Sequence, residues 1–148
     1  MSEQQVTSHE QQSMVDEMRA IRQMLTSAKT IAVVGLSNNP ARPSYSVTEY
    51  MQSHGYRILP VNPAVESALG EQSYASLAAL PVRPDIVNVF RAAEFIPAIV
   101  DEVIELGISN LWLQSGVTHP TAEAKARAAG VSVVSDRCIY VEHSRLRL

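Results

Sequence analysis

The residues with the clearest chemical promise lie in one loop, Gly35-Leu36-Ser37-Asn38-Asn39-Pro40-Ala41-Arg42-Pro43-Ser44. A glycine turn, hydroxyl and amide side chains at Ser37, Asn38 and Ser44, a guanidinium at Arg42 and a following helix N-terminus together place donors around an anion. The same composition would also serve a plain strand-to-helix turn. Its place after the first strand of an α/β unit favours the anion. Of the dinucleotide fingerprint G-x-G-x-x-G, only Gly35 is present.

A second position narrows the ligand. A nicotinamide-dinucleotide reader carries a carboxylate at the end of its second strand to hold the ribose hydroxyls. This chain has Val61-Asn62-Pro63 there. An NAD(P)-binding oxidoreductase is therefore the lesser alternative, and a ligand bearing a phosphate on its ribose, such as coenzyme A, suits the missing carboxylate.

The remaining reactive groups are sparse. Cys138 is the single cysteine, so no internal disulfide forms. It follows Arg137 and precedes His143, and a nearby cation would favour its thiolate, which makes it a candidate reactive thiol; the opposing reading is a packed, inert side chain. His119 and His143 read as hydrogen-bonded or surface residues. No G-x-S-x-G elbow surrounds Ser37 or Ser115. Four scattered histidines and one cysteine show no metal-ligand spacing, so neither a metal nor a catalytic residue is assigned.

These positions need a scaffold, and the apolar periodicity supplies one. Residues 1–9 read as a flexible tail ahead of a single domain over 10–148. Met14, Met18, Ile21 and Leu25 mark one face of a lead-in helix packed on the core. Thr30–Gly35 is a β-branched run stopped by glycine, the pattern of a strand buried on both faces. Ser44 is placed to cap a helix bearing Val47, Tyr50 and Met51 and ending near Gly55. Arg57–Val61 is the second strand, with Pro60 expected to fray it early.

After a turn-rich stretch and a brief helix near Ser73–Leu80, Asp85–Phe90 is the third strand. A helix over Glu94–Leu106 carries the stripe Phe95, Ile99, Val103 and Leu106, widened by Ile96, Val100 and Ile104, with Asp101, Glu102 and Glu105 facing water. Asn110–Gln114 is the fourth strand, holding Trp112 as a core residue, Pro120–Ala129 a helix, and Val131–Ser135 the fifth strand. The alternation predicts a Rossmann-like doubly wound α/β fold, a mostly parallel five-stranded sheet with its ligand beyond the carboxyl ends of the strands.

Composition agrees with a globular domain. At 148 residues, 46% hydrophobic and 18% charged, the chain is long enough to bury one core. A net charge of −3 with no basic run argues against nucleic acid as a partner. The Gln-rich N-terminus has no apolar core and no stretch approaches the length of a membrane span, so the expected setting is cytoplasmic, with a small-molecule nucleotide as the partner.

The chain also resembles the small stand-alone CoA-binding domain family, related to the CoA-binding domain of succinyl-CoA ligase α subunits, from about Thr30 to Leu146. The resemblance rests on A-V-V-G-L-S, R-P-S-Y at Arg42–Tyr45, P-V-N-P at Pro60–Pro63, V-F-R at Val89–Arg91, W-L-Q-S-G-V at Trp112–Val117, and D-R-C with E-H-S-R-L near the end. It implies that Gly35, Ser37, Arg42 and Ser44 hold the pyrophosphate of CoA or an acyl-CoA. Asn62 and Pro63 are implied to flank the adenosine, and Phe90, Arg91, Gln114 and Gly116 to line the rest of the groove. Ala64 and Ala92 stand where the family pattern implies basic residues, which lowers the expected affinity. Ligase activity is not implied, since 148 residues leave no room for the phosphohistidine domain of the ligases. The expected activity is binding. The alternative within this reading is a thiol-redox protein forming a Cys138–CoA mixed disulfide.

Overall fold

The computed structural model describes the backbone of residues 2–147 and the side chains of residues 8–147. Five parallel strands form from the five apolar runs: β1 (Thr30–Val34), β2 (Arg57–Val61), β5 (Ile86–Val89), β6 (Asn110–Leu113) and β7 (Ser132–Val134). Between β2 and β5 lies a two-stranded hairpin, β3 (Ser67–Ala68) with β4 (Glu71–Gln72). The helices are α1 (Ser2–Ser27), α2 (Pro43–Ser53), α3 (Ile96–Glu105), α4 (Pro120–Ala128) and α5 (Ile139–Leu146). The sheet order is β2-β1-β5-β6-β7. The chain thus leaves β1 for one edge and returns at β5 on the other side, so a topological switch point lies between β1 and β5, where open α/β sheets bind ligands.

Strand alternation divides the core into two layers. Ala32, Val87, Val89, Leu111 and Leu113 point to the side covered by α3 and α4, where Ile96, Val100, Val103 and Ala126 meet them. Ile31, Val33, Ile86 and Trp112 point the other way, onto Ile21 and Leu25 of α1, Met51 of α2 and Ile139 of α5. Trp112 is fully buried and its indole N–H donates to the Arg137 carbonyl at 2.8 Å. No helix among the described residues is long and apolar enough to cross a membrane.

Several expectations change at the level of detail. Within the stretch 1–9 expected as a tail, the backbone is helical from Ser2, in keeping with the helix propensity of its Glu and Gln residues. Met14, expected in the core, is 63% exposed. A 26-residue helix runs about 39 Å whereas a five-residue strand covers about 17 Å, so the first half of α1 overhangs the layer that its second half packs. Ser44 is not the cap of α2. Arg42 is, with Pro43 at the first helical position and Ser44 buried inside the first turn.

Pro60 does not fray β2. The strand is a sheet edge, where a missing N–H is tolerated, and pairing with β1 continues to Val61. Tyr74 covers that edge, its N–H donating to the Pro60 carbonyl at 3.0 Å. The brief helix near Ser73–Leu80 is a 3-10 turn over Leu77–Ala79, and it contributes to packing because Leu77 is buried in the α3 layer. Glu102 was expected to face water, but it accepts from the Leu77 N–H at 3.1 Å. The buried stripe of α3 is Ile96, Val100 and Val103, while Phe95 is 41% exposed.

The helix α5 was not expected from the periodicity. Its buried face includes Glu142 and His143. Glu142 accepts from Arg137 at 3.3 Å and Arg145 at 3.1 Å, and Arg137 also pairs with Glu17 at 3.0 Å, which fastens α1 to α5. His143 is 4% exposed, with its Nδ1 2.9 Å from the Tyr50 hydroxyl and with His54 and Tyr56 facing it from α2 and the start of β2.

Burial, and secondarily the neighbouring His54, hold the His143 imidazole below its ordinary range. In the unfolded chain the ring takes up its proton near the ordinary value of about 6.5. As pH falls through that value the unfolded state therefore gains protons before the folded one, and stability declines until the folded ring itself titrates. The melting temperature of the wild-type protein is expected to fall more steeply between neutral and mildly acidic pH than that of His143→Gln. Superimposable slopes for the two proteins would show that the ring stays neutral at no energetic expense.

Candidate functional site

The switch point is a groove of about 490 Å³ at the carboxyl ends of β1, β5 and β6. Its floor depends on one residue type. Gly35 ends β1 at φ +87°, and a Cβ there would lie 2.6 Å from the Phe90 carbonyl oxygen and 3.1 Å from Arg91 Cδ. Glycine is required on both counts. The close approach is locked by the Phe90 N–H donating to the Val34 carbonyl at 2.8 Å and the Gly35 N–H donating to the Val61 carbonyl at 2.9 Å.

One wall is the loop that leads into α2. Ser37 N–H donates to Ser44 Oγ at 3.1 Å, Asn39 N–H to Ser37 Oγ at 3.0 Å, and Ala41 N–H to Asn39 Oδ1 at 3.0 Å. These side-chain turns curl the loop so that Arg42, Pro43 and Ser44 border the groove at the N-terminus of α2. The positive end of that 11-residue helix adds to the attraction for an anion. The opposite wall is Phe90, Arg91 and Ala92 after β5, and the third is Gln114, Ser115 and Val117 after β6.

The electrostatics are one-sided. None of the residues lining the groove is acidic, and among the described residues neither Arg42 nor Arg91 enters a salt bridge. Arg91 instead lays its guanidinium 3.9 Å above the Phe95 ring, a cation–π contact that holds the charge at the groove edge without neutralising it. Arg91 also lines an adjoining, largely apolar pocket of about 240 Å³, with Val61, Pro63, Phe95 and Ile99 among its walls and Ser76 and Glu102 as its other polar residues. Two compartments thus meet at one arginine.

The structure brings Gly35, Ser37, Arg42, Ser44, Phe90, Arg91 and Gln114 to the groove, and Pro63 to the adjoining pocket. It does not bring the others. Asn38 is exposed outside the lining. Asn62 spends its amide on the scaffold, donating to the Leu36 carbonyl at 3.0 Å while its Oδ1 accepts from Ala64 N–H at 2.9 Å, so it steadies the loop from beneath. Gly116 turns at φ +82°, with its N–H donating to Asp136 Oδ1 at 2.6 Å. Pro43, Ser115 and Val117 line the groove without having been assigned to it, as does Ala92, marked in the sequence only as a missing basic residue; each adjoins an expected residue.

Cys138 is half-buried and caps α5, and it is not among the groove residues. The two cations expected to activate it are engaged elsewhere, Arg137 by Glu17 and Glu142 and His143 by Tyr50. The next residue does touch the site, because the Ile139 N–H donates to Oε1 of Gln114 at 2.9 Å. His119 caps α4, its Nδ1 accepting from the Ala122 N–H at 3.1 Å.

Comparison with known proteins bears on the family and the fold. The chain is 40% identical over 124 residues to the uncharacterized protein YneT of Bacillus subtilis, covering 84% of this chain and 92% of that one. It is 22% identical over 129 residues to subunit alpha of acetate–CoA ligase (ADP-forming) II of Pyrococcus furiosus, spanning 28% of that subunit. Among solved structures, cell-free ID.343 from Thermus thermophilus superposes with a TM-score of 0.84 at 43% identity, covering 87% of this chain and 98% of that one. A hypothetical protein from Pyrococcus horikoshii OT3 gives 0.85 at 35% identity, with 88% and 92% covered. The sequence model of the CoA binding domain family matches residues 29–144, which span the five-stranded sheet, the glycine turn, the groove and most of α5 but not α1, and the chain belongs to that family.

Proposed function

We propose that the protein binds coenzyme A or an acyl-CoA at the β1/β5 switch point, with binding rather than catalysis as its activity. The observation that carries this reading is the pair Arg42 and Arg91, two guanidinium groups without carboxylate partners among the described residues, that flank a glycine turn pressed against the Phe90 carbonyl. A pyrophosphate placed there meets Arg42, Ser37, Ser44 and the α2 N-terminus on one side and Arg91 on the other. The adenine fits the apolar pocket beyond Arg91, beside Pro63 and Phe95. The pantetheine arm then runs along Phe90, Gln114 and Val117. Among the described residues no histidine, cysteine or carboxylate lines the groove itself, and the one carboxylate of the adjoining pocket, Glu102, accepts from the Leu77 N–H.

The competing dinucleotide lacks a partner for its ribose diol, since Asn62 is committed to Leu36 and Ala64. A ligand bound only by the folded state stabilises by mass action, about 2.7 kcal/mol at a hundred times its Kd. CoA is therefore expected to raise the melting temperature more than NAD at equal concentration in a thermal-shift series. An equal or larger shift with NAD would overturn the assignment.

A further inference from the structure

Among the described residues, Arg42 and Arg91 are the only cations lining the groove and the pocket beside it. All twelve lysines and arginines of the chain fall within the described side chains, so the others can be placed. Lys29, Arg57 and Arg83 lie at the opposite end of the sheet, at or before the starts of β1, β2 and β5, and Arg83 donates to the Gly107 carbonyl at 3.2 Å. Lys125 and Arg127 belong to α4 and pair there with Asp101 and Glu123. The rest lie on α1, on or just after α5, or, for Arg137, tied to both helices through Glu17 and Glu142. Those helices cover the face of the sheet away from the α3 layer, to which Val61 and Leu77 of the pocket belong. From β2 past that pocket towards β5, no lysine or arginine occurs between Arg57 and Arg83.

Coenzyme A carries a pyrophosphate and, separately, a phosphate on the 3′ carbon of its ribose. We propose that this site recognises the adenosine diphosphate and pantetheine portions and discriminates against the 3′-phosphate, so that dephospho-CoA, the same ligand with a free 3′-hydroxyl, binds more tightly than CoA, with Glu102 setting the preference. The inference rests on the CoA reading of the groove. With the pyrophosphate between Arg42 and Arg91 and the adenine beside Pro63 and Phe95, the ribose that joins them lies where the two compartments meet, and its 3′ carbon is held at the mouth of the pocket.

The charges balance without the additional phosphate. A pyrophosphate diester bears two negative charges, and the two guanidinium groups offset them. The stacking of Arg91 on Phe95 at 3.9 Å fixes the direction of its fork, so one face of the group serves one anion. The next charge is Glu102. Its Oε1 accepts from the Leu77 N–H at 3.1 Å, which anchors the carboxylate in the pocket wall, and among the described residues it has no salt-bridge partner. A phosphate monoester adds a charge of about −1.5 to −2 at neutral pH. At the pocket mouth it gives up water, gains no cation of its own and faces a like charge. A 3′-hydroxyl is neutral and stays hydrated there at little cost. The missing carboxylate after β2 favoured a ribose phosphate in the sequence, but α3 brings a carboxylate to the same pocket from much later in the chain.

Calorimetric titration of the full chain with CoA and with dephospho-CoA tests this. Dephospho-CoA is expected to bind the wild type more tightly by about threefold or more, as like-charge juxtaposition requires. Glu102→Gln keeps an oxygen to accept from the Leu77 N–H and removes the charge, and it is expected to abolish the difference. Glu105→Gln alters a carboxylate of the same helix that lines neither compartment, and the difference should persist in it. Arg91→Ala is expected to weaken both ligands alike, because it holds a group they share. CoA bound as tightly as dephospho-CoA or more tightly by the wild type, a preference that survives Glu102→Gln, or a loss in Arg91→Ala confined to CoA would each overturn the proposal and leave the CoA assignment standing. Failure of both ligands to bind would remove that assignment and the proposal with it.

Discussion

Gly35→Ala is expected to be the most damaging single-methyl substitution in the protein, lowering stability by about 3 kcal/mol or more and abolishing CoA binding. Two effects add at this position. An L-residue at φ +87° carries a torsional penalty of about 1–2 kcal/mol. The new Cβ then meets the Phe90 carbonyl oxygen at 2.6 Å, and that atom is backbone, not the end of a flexible side chain. Relief requires β1 and β5 to part just where Phe90 N–H bonds the Val34 carbonyl. Gly130→Ala is the control, because Gly130 sits at φ +92° with nothing within 4 Å of its would-be Cβ, so it isolates the torsional part. For a domain of this size each kcal/mol moves Tm by about 2–4 °C, so Gly35→Ala should melt roughly 6–12 °C below the wild type. Equal losses for the two variants, measured by denaturant unfolding, would show that the β1/β5 contact has room to give and that the glycine is required only for its turn.

The parts of the molecule that were legible beforehand are those in which a local pattern and the global fold ask for the same thing. Thr30–Val34 is β-branched, continuous and stopped by glycine, and it became a strand of the sheet interior with that glycine at the crevice. Arg42 and Arg91 follow the first and third strand runs, and the parallel order alone carries both to the same edge.

What was not legible depends on partners far away in sequence. The inner face of α5 includes Glu142 and His143, polar residues that break an apolar stripe, and their burial makes sense only with Arg137 and Tyr50 in place. Arg137 looked like an activator of the neighbouring Cys138, but its guanidinium is claimed by Glu17, 120 residues away. Asn62 was expected beside the ligand, yet its amide is held by the Leu36 carbonyl of the first loop. In each case a polar side chain's role was set by which buried donor or acceptor needed a partner, and one-dimensional spacing carries no record of that.

Arg42→Ala and Arg91→Ala are each expected to weaken CoA binding about 10- to 150-fold, the equivalent of about 1.5–3 kcal/mol for a charge-assisted hydrogen bond to phosphate. Arg145→Ala should change it little, because that side chain is 60% exposed and its partner is Glu142 on α5, away from the groove. The two groove arginines approach from different strands, one through the loop after β1 and the other directly after β5, so their coupling is informative. If both grip one pyrophosphate, the double variant loses less than the sum of the single losses or more than it, and the difference is the interaction energy; if they hold separate phosphates, the losses add to within about 0.5 kcal/mol. Arg91→Lys separates charge from shape. It keeps the cation but gives up the planar fork and the stacking on Phe95, and should recover only part of the affinity lost in Arg91→Ala. Raising the salt concentration should weaken wild-type binding more than that of either alanine variant, since the removed charge no longer contributes a screenable attraction. Calorimetric titration of the wild type and these variants with CoA decides the matter: losses at Arg42 and Arg91 no larger than at Arg145 would place the phosphates outside the switch-point groove and remove the observation on which the CoA assignment stands.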